Sequence, residues 1–168
     1  MPTSHPEGRD WVVDRIKTTT APVIIDLGCG EGTYSDLARG WRPNARWIGL
    51  DIHLPYVDRY NLTHKYDEVV ITDLRDYVFP AAPFVLLAGD VIEHMPRHDA
   101  TTFIKRALAA ADEIMISVPI IDYPQHEHDG NPHEAHLDQW TFHEMRDQLP
   151  DCETWQGDVV GRYWWRHP

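Results

Sequence analysis

The sequence predicts an α/β protein with a doubly wound, mostly parallel seven-stranded sheet, an antiparallel final strand and helices on both faces. Two observations lead to this fold class. Short apolar, β-branched runs alternate along most of the chain with helix-like segments, which is the pattern of parallel strands joined by crossover helices. The closing segment CETWQGDVVGRYWWR instead reads as two strands joined by a tight turn near Gly157 and Asp158. The length of 168 residues fits a single domain spanning 1–168.

The first half of the chain supplies three of the predicted strands. These are PVIIDL, RWIGLDI and DEVVITDL, and the first is rich in β-branched residues and stopped by Gly28. An amphipathic helix, RDWVVDRIKTT, precedes them. YSDLARGW, which ends near Gly40, and YVDRYNLTHKY are the helices that connect the strands.

The second half continues the alternation. PFVLLAGD is almost wholly apolar, as expected of a strand covered on both faces, and EIMISVPII is the fifth strand. DATTFIKRALAAAD reads as a helix with Asp99 as its N-cap. TFHEMRDQL reads as a short helix, because Thr141 followed by Glu144 three residues later forms a capping-box pattern.

Composition and charge limit the classes of partner. The formal net charge is −12 and no dense Lys/Arg run occurs, so a phosphate backbone would be repelled and nucleic acid is not an expected partner unless a local basic patch forms. No apolar run approaches the ~18–20 residues of a membrane span, and the polar N-terminus lacks a signal region. We therefore expect a cytoplasmic protein. The two cysteines suggest no disulfide framework, and Cys29 reads as a small filler.

The segment DLGCGEG carries the strongest functional signal. Asp26 is followed by Gly28, Gly30 and Gly32 at the carboxyl end of the first strand, which is where ligands bind in doubly wound sheets. Glycine allows sharp turns and close approach of the backbone to a ligand, although an ordinary strand-to-helix turn is also often rich in glycine. A dinucleotide fingerprint would place its third glycine at Thr33, and the Gly-Lys-Ser/Thr ending of a P-loop is missing.

An acid followed by G-x-G-x-G resembles the first motif of the class I S-adenosylmethionine-dependent methyltransferases of small-molecule type, which have a Rossmann-like fold. Further landmarks of that family follow in order. Asp51 ends the second strand, Asp73 follows the third, and DVIEHM, with Asp90, Glu93 and His94, follows the fourth. The resemblance extends over nearly the whole chain, from Trp11 to Trp165.

The resemblance implies S-adenosyl-L-methionine as cofactor and S-adenosyl-L-homocysteine as its product. It assigns Asp26 and the glycine amides to the methionine end, Asp51 to the two ribose hydroxyls, and Asp73 to the adenine amino group. A carboxylate accepts two hydrogen bonds at once, which suits a vicinal diol. The cofactor-binding residues expected on this basis are Asp26, Gly28, Gly30, Gly32, Asp51, Ile52, Asp73, Leu74 and Asp90.

Histidines are the candidates for catalysis. His94 lies just beyond the fourth strand and is the first candidate for a general base, with a structural role as the alternative. Five of the eleven histidines lie between His126 and His143, in or beside the long irregular segment 122–140. This segment reads either as a metal site formed by His126, His128, His133 or His136, or as a substrate lid without metal; we favour the lid. His133, His136 and Trp140 would then line the acceptor pocket.

The sequence therefore predicts an S-adenosylmethionine-dependent methyltransferase that transfers a methyl group in line to O, N or C of a small-molecule acceptor. The Asn/Asp-Pro-Pro-aromatic and Pro-Cys motifs of enzymes that methylate nucleic-acid bases are absent. Acceptor recognition would come from the N-terminal helix, the segment 122–140, or a second subunit of a homodimer. A non-catalytic S-adenosylmethionine-binding partner or regulatory protein stays open, whereas the glycine spacing disfavours a nicotinamide oxidoreductase.

Overall fold

The computed structural model of the protein describes residues 3–128 and 130–168. Its centre is one seven-stranded sheet with the strand order β3-β2-β1-β4-β5-β7-β6. The strands are β1 Val23–Leu27, β2 Arg46–Asp51, β3 Glu68–Ile71, β4 Phe84–Gly89, β5 Glu113–Pro119, β6 Glu153–Gln156 and β7 Val160–Arg166. The first five are parallel, and β7 runs antiparallel to both β5 and β6. The predicted fold class is confirmed.

Helices connect the strands. The α-helices are α1 Arg9–Thr18, α2 Thr33–Ala38, α3 Pro55–Arg59, α4 Leu62–Lys65, α5 Arg97–Leu108 and α6 Phe142–Arg146. Short 3₁₀ turns follow α2 at Arg39–Trp41 and β4 at Ile92–His94, and a third lies within the segment 122–140 at Pro132–Glu134. The predicted capping box of α6 is present, since the Thr141 side chain and Glu144 each accept a hydrogen bond from the other's backbone.

The sheet order places the functional loops together. β1 pairs with β2 on one side and β4 on the other, so the chain reverses its winding direction at β1. Ligands bind at such a reversal, beyond the carboxyl ends of the strands. Asp26 near the end of β1 and Asp51 at the end of β2 lie on this edge, as does the loop that follows β4.

Two apolar clusters cover the two faces of the sheet. One contains Ile25, Leu86 and the α5 residue Phe103, and the other contains Ile24, Leu87 and the α1 residue Ile16. All five residues of β1 are buried, which explains why this strand reads as a continuous apolar run. Apolar burial of this kind is the dominant stabilising contribution to the fold.

Two predicted helices differ from those observed. The segment read as one helix from Tyr56 is two short helices, because Asn61 has a left-handed backbone (φ 54°) that interrupts the hydrogen-bond ladder between α3 and α4. The helix predicted to be capped by Asp99 begins earlier, after Pro96, so that Asp99 lies inside its first turn. Asp99 still favours the helix there, since an acid is stabilising near a helix N-terminus.

Within the described part of the chain, none of the helices combines the length and the apolar character that a membrane crossing requires.

Candidate functional site

A cleft of about 350 Å³ opens at the carboxyl ends of β1, β2 and β4. Its volume lies in the range of small-molecule sites in proteins. The lining residues expected from the sequence are Asp26, Gly28, Gly30, Asp51, Ile52, Asp73, Leu74, Asp90, His94 and His133. The structure therefore brings ten of the predicted site residues to one cavity, which we call the first cleft.

The glycine loop after β1 is held in a tight left-handed course. Gly28, Gly30 and Gly32 all have positive φ, at 55°, 50° and 84°. A Cβ added at Gly28 would overlap the Val91 side chain, so glycine is required there by contact as well as by conformation. Gly28 and Gly30 line the cleft, whereas Gly32, the residue before α2, does not.

Asp51 links the glycine loop to β2. One of its oxygens accepts the backbone N–H of Gly30 at 2.9 Å, and the other accepts that of His53 at 2.8 Å. The residue is 5% exposed, and burial raises the pKa of its carboxyl. Each oxygen retains a lone pair beyond its bond to the backbone, so the carboxylate has the capacity that a vicinal diol requires.

Asp26 is a deeply buried acid near the end of β1. It is 2% exposed and accepts a hydrogen bond from the Tyr66 hydroxyl at 2.6 Å through Oδ2. Burial raises the pKa of Asp26 to about 7, the Tyr66 hydrogen bond opposes that rise, and the nearby Asp51 charge adds to it. A cationic ligand group would favour the ionised form of Asp26, because an opposite charge lowers the pKa of an acid.

Asp73 is paired with a cation at the far end of the cleft. Arg75 binds it at 2.6 Å and also binds Asp99 at 2.7 Å. The hydrogen bonds from Arg75 lower the pKa of Asp73, so this acid stays ionised. Leu74 lies beside it at the cleft wall, and His133 is close enough for its charge to lower the same pKa.

Asp90 anchors the N-terminal segment over the cleft. It has φ 56°, and its Oδ2 accepts hydrogen bonds from the His5 backbone N–H at 2.5 Å and the Ser4 hydroxyl at 3.1 Å. Its other oxygen accepts the Ser117 hydroxyl at 2.6 Å. The carboxylate expected to bind cofactor thus already holds three protein donors.

The segment from Thr3 to Gly8, which we call the N-terminal strap, has further anchors. The buried Arg162 guanidinium donates to the backbone carbonyls of His5 and Glu7. The Glu7 carboxylate accepts three backbone N–H groups from the turn between β6 and β7, and these bonds lower its pKa. The strap was missed from the sequence, because these contacts join residues more than 150 positions apart.

Beside the first cleft lies a second one of about 340 Å³, lined by Glu93, Tyr123 and His136 among others. His136 therefore belongs to this second cleft rather than to the first. Its ring meets that of His94 edge-on, with 4.8 Å between centroids. Burial lowers the pKa of both histidines, so both imidazoles are neutral near pH 7. Burial raises the pKa of Glu93 well above its usual range.

The segment 122–140, described apart from residue 129, joins the two clefts. Its 3₁₀ turn begins after Asn131, whose side chain accepts the His133 backbone N–H at 3.0 Å. The buried Glu134 carboxylate accepts the Tyr56 hydroxyl at 3.0 Å, which fastens the segment to α3. Trp140, expected in the acceptor pocket, is instead 1% exposed in the core, where the Arg97 guanidinium stacks on its ring.

Sequence reasoning missed two residues of the first cleft, Asn131 and Glu134. The polar NPHE run was a visible signal for both. Glu93, named with Asp90 and His94 in the motif after the fourth strand, lines the second cleft. No signal in the sequence indicates that Tyr66 would bond to Asp26, because that contact depends on how α4 packs against β1.

Comparisons with known proteins give one family and many similar folds. The family described as "Methyltransferase domain" matches residues 24–112, which is more than half of the chain. A search of curated proteins gives no match.

Three solved structures illustrate the shared fold. The N-terminal domain of EvdMO1 with SAH bound is 16% identical with a TM-score of 0.66, covering 93% of this chain and 81% of that one. The methyltransferase domain of bacterial CtHen1 is 21% identical with a TM-score of 0.68, covering 94% and 96%. The small RNA methyltransferase HEN1 is 16% identical with a TM-score of 0.70; 98% of this chain is covered but only 26% of that longer one.

The matched family, the order of the strands and the acid-lined cleft at the reversal of the sheet agree with the resemblance seen in the sequence. The chain belongs to the methyltransferase domain family and has the fold of the class I S-adenosylmethionine-dependent methyltransferases.

Proposed function

We propose that this protein, acting as a single domain over 1–168, transfers a methyl group from S-adenosylmethionine to a small molecule without phosphate groups. The observation that supports this proposal most strongly is the chemistry of the two clefts. The first cleft has the acids suited to the cofactor, and the adjoining second cleft, of about 340 Å³, has Glu93, Asp122 and Asp138 in its lining. Acceptors of this kind need no extended binding surface.

The residues of the first cleft fit the cofactor. Asp51 has free lone pairs for ribose hydroxyls, Asp26 is a buried acid that a cationic amine would ionise, and Gly28 leaves room for close approach. Asp73 and Leu74 would hold the adenine. In this assignment Asp90 acts through the N-terminal strap, because its oxygens already accept three protein hydrogen bonds.

The bound cofactor supplies an electrophilic methyl group on a sulfonium. The chain contributes the placement of the acceptor against the methyl group, which converts a bimolecular reaction into a nearly unimolecular one. The strap and the segment 122–140 would close over the clefts and keep water out. His94 and His136 present neutral imidazoles beside the boundary between the clefts, where a hydroxyl or amine acceptor would be held.

His133 differs from the other two histidines. It lines the first cleft and lies near Asp73, on the side assigned to adenine. This placement favours contact with the cofactor over the acceptor role expected from the sequence.

RNA is the second candidate acceptor, because HEN1 is among the similar folds. Charge argues against it. Among the described residues that line the first cleft, Arg75 is the single Lys or Arg, and Asp73 and Asp99 neutralise it. The lining of the second cleft has no Lys or Arg within the residues described, and the whole chain carries −12. A polyanion gains little from such a surface.

A turnover screen tests the proposal. The protein is incubated with S-adenosylmethionine labelled on the methyl group and with separate pools of neutral, cationic and phosphorylated small molecules and of short RNAs. We expect label in the neutral or cationic pools. Label in RNA alone would overturn the proposed acceptor class. Cofactor binding with no turnover in any pool would favour the alternative of a non-catalytic binding protein.

A further inference from the structure

Glu93, His94 and His136 form a cluster at the boundary between the two clefts, which we call the Glu-His-His cluster. One ligand atom from each residue lies within 4.8 Å of the other two. His94 lines the first cleft, whereas Glu93 and His136 line the second. Anything held by all three side chains would therefore stand between the two clefts.

Glu93 is the unusual member of the cluster. It is 2% exposed, and neither of its carboxylate oxygens has a hydrogen-bond partner among residues 3–128 and 130–168. His136 Nε2 is 3.9 Å from Glu93 Oε1, beyond hydrogen-bond distance. A buried carboxyl without a partner is strongly destabilising, so its presence indicates a ligand that supplies the missing partner.

Both histidines are held in the orientation that a metal ligand needs. His94 Nδ1 lies 3.1 Å from the Ala135 carbonyl oxygen, and His136 Nδ1 lies 2.7 Å from that of Tyr123. A carbonyl oxygen only accepts hydrogen bonds, so each Nδ1 carries the proton and each Nε2 keeps its lone pair. Metal-binding histidines are commonly fixed in this way by a backbone carbonyl.

We propose that the Glu-His-His cluster binds one divalent transition-metal ion through the Glu93 carboxylate and the two Nε2 atoms. Two imidazoles and one carboxylate are the donor set of open zinc sites and of facial-triad iron sites, which keep positions for water or substrate. Donor atoms about 2.0–2.2 Å from an ion stand roughly 3.4 Å apart, so the three side chains would draw together on binding.

This site departs from the metal-free lid expected from the sequence, and it differs from the loop site weighed there, since two of its ligands follow β4. It also excludes one role. The Nε2 of His94 cannot bind an ion and act as a general base at the same time. The site is independent of which acceptor the enzyme uses.

Co²⁺ is a suitable probe because its visible absorption reports coordination by nitrogen ligands. The full chain is stripped with a chelator and titrated with Co²⁺ without cofactor, by absorption and calorimetry. We expect one ion per chain. Glu93→Gln and His136→Ala should each weaken binding more than about tenfold. His126→Ala, which removes an exposed histidine of the same segment, should leave binding unchanged.

Thermal unfolding shows whether the variants are folded. In chelator, Glu93→Gln should melt no lower than the wild type, because it removes a buried acid without a partner. At the same concentration, added Co²⁺ should raise the melting temperature of the wild type by more than that of Glu93→Gln. The proposal is overturned if the wild type binds no ion stoichiometrically, if the two ligand variants bind as well as the wild type, or if His126→Ala abolishes binding.

Discussion

At the scale of single residues, buried carboxylates define the site. Asp26 and Asp51 lie at the ends of adjacent strands, and burial raises the pKa of both. Such acids destabilise the free protein when ionised, and a ligand with cationic or hydrogen-donating groups relieves that penalty. The sequence predicted both residues, because each ends an apolar strand, but their protonation depends on burial that only the structure shows.

Asp51→Asn should weaken S-adenosylhomocysteine binding about 10- to 100-fold, as measured by calorimetry. The amide cannot accept from both ribose hydroxyls while keeping the Gly30 hydrogen bond, and hydrogen bonds of charged groups contribute roughly 1.5–3 kcal/mol. Asp58→Asn makes the same charge change at an exposed position of α3 and should have no effect. Equal affinity of folded Asp51→Asn and wild type would show that Asp51 does not contact the ribose.

Asp26 should make the cofactor-free protein less stable as pH rises. Its folded pKa of about 7 exceeds the unfolded value of 3.8, so the folded state holds the proton more tightly and this stabilisation is lost as pH rises through 7. The free energy of unfolding should fall by about 2–3 kcal/mol between pH 5 and pH 8 relative to Asp26→Asn. Denaturant unfolding at several pH values measures it, and parallel pH profiles for the two proteins would contradict the assignment.

At the scale of elements, the strap and the segment 122–140 complete the site from outside the sheet. The strands were predicted well, because their apolar runs are a local signal. Contacts such as that of Asp90 with His5 were not predicted, since they join distant parts of the chain.

Asn61 shows a second limit of prediction from the sequence. Its left-handed backbone splits a segment whose apolar spacing reads as one helix. Trp140 shows a third, because an aromatic residue beside a loop looks the same whether it lines a pocket or fills the core.

Asp90→Asn should loosen the N-terminal strap. Asparagine tolerates the left-handed backbone at this position but has one acceptor oxygen fewer for Ser4, His5 and Ser117. Hydrogen exchange of the strap amides should therefore quicken in the cofactor-free protein. Asp10→Asn, at an exposed position on α1, is the matched control. Unchanged exchange in Asp90→Asn would mean that Arg162 and Glu7 hold the strap without it.

Two histidines of the segment 122–140 should have separable effects. His133→Ala should raise the Kd of S-adenosylhomocysteine, because His133 lies near Asp73 in the first cleft. His136→Ala should leave that Kd unchanged and lower acceptor turnover, because His136 lines the second cleft. Calorimetry and steady-state kinetics with an identified acceptor measure the two effects. If both variants changed the same parameter, the assignment of the cofactor to the first cleft and of the acceptor to the second would be wrong.

At the scale of the whole molecule, the parallel sheet brings the ends of β1, β2 and β4 to one edge and sets the two clefts side by side. The sequence predicted the fold class and the first cleft, because each acid follows a strand and the carboxyl ends of parallel strands meet. It did not predict the second cleft. That cavity forms where the segment 122–140 packs against the turn after β4, through backbone bonds of Leu137 and Asp138 to the Glu93 carbonyl. The expected cytoplasmic location stays a prediction.

A crystal structure of the protein with S-adenosylhomocysteine bound tests the central claim most directly. We predict that the ribose hydroxyls contact Asp51, that the amino group lies at Asp26, and that the sulfur faces the boundary between the clefts, beside His94 and His136. A second dataset with an acceptor would show it in the second cleft. Product bound elsewhere, or a sulfur that faces away from His94, would contradict the assignment of both clefts.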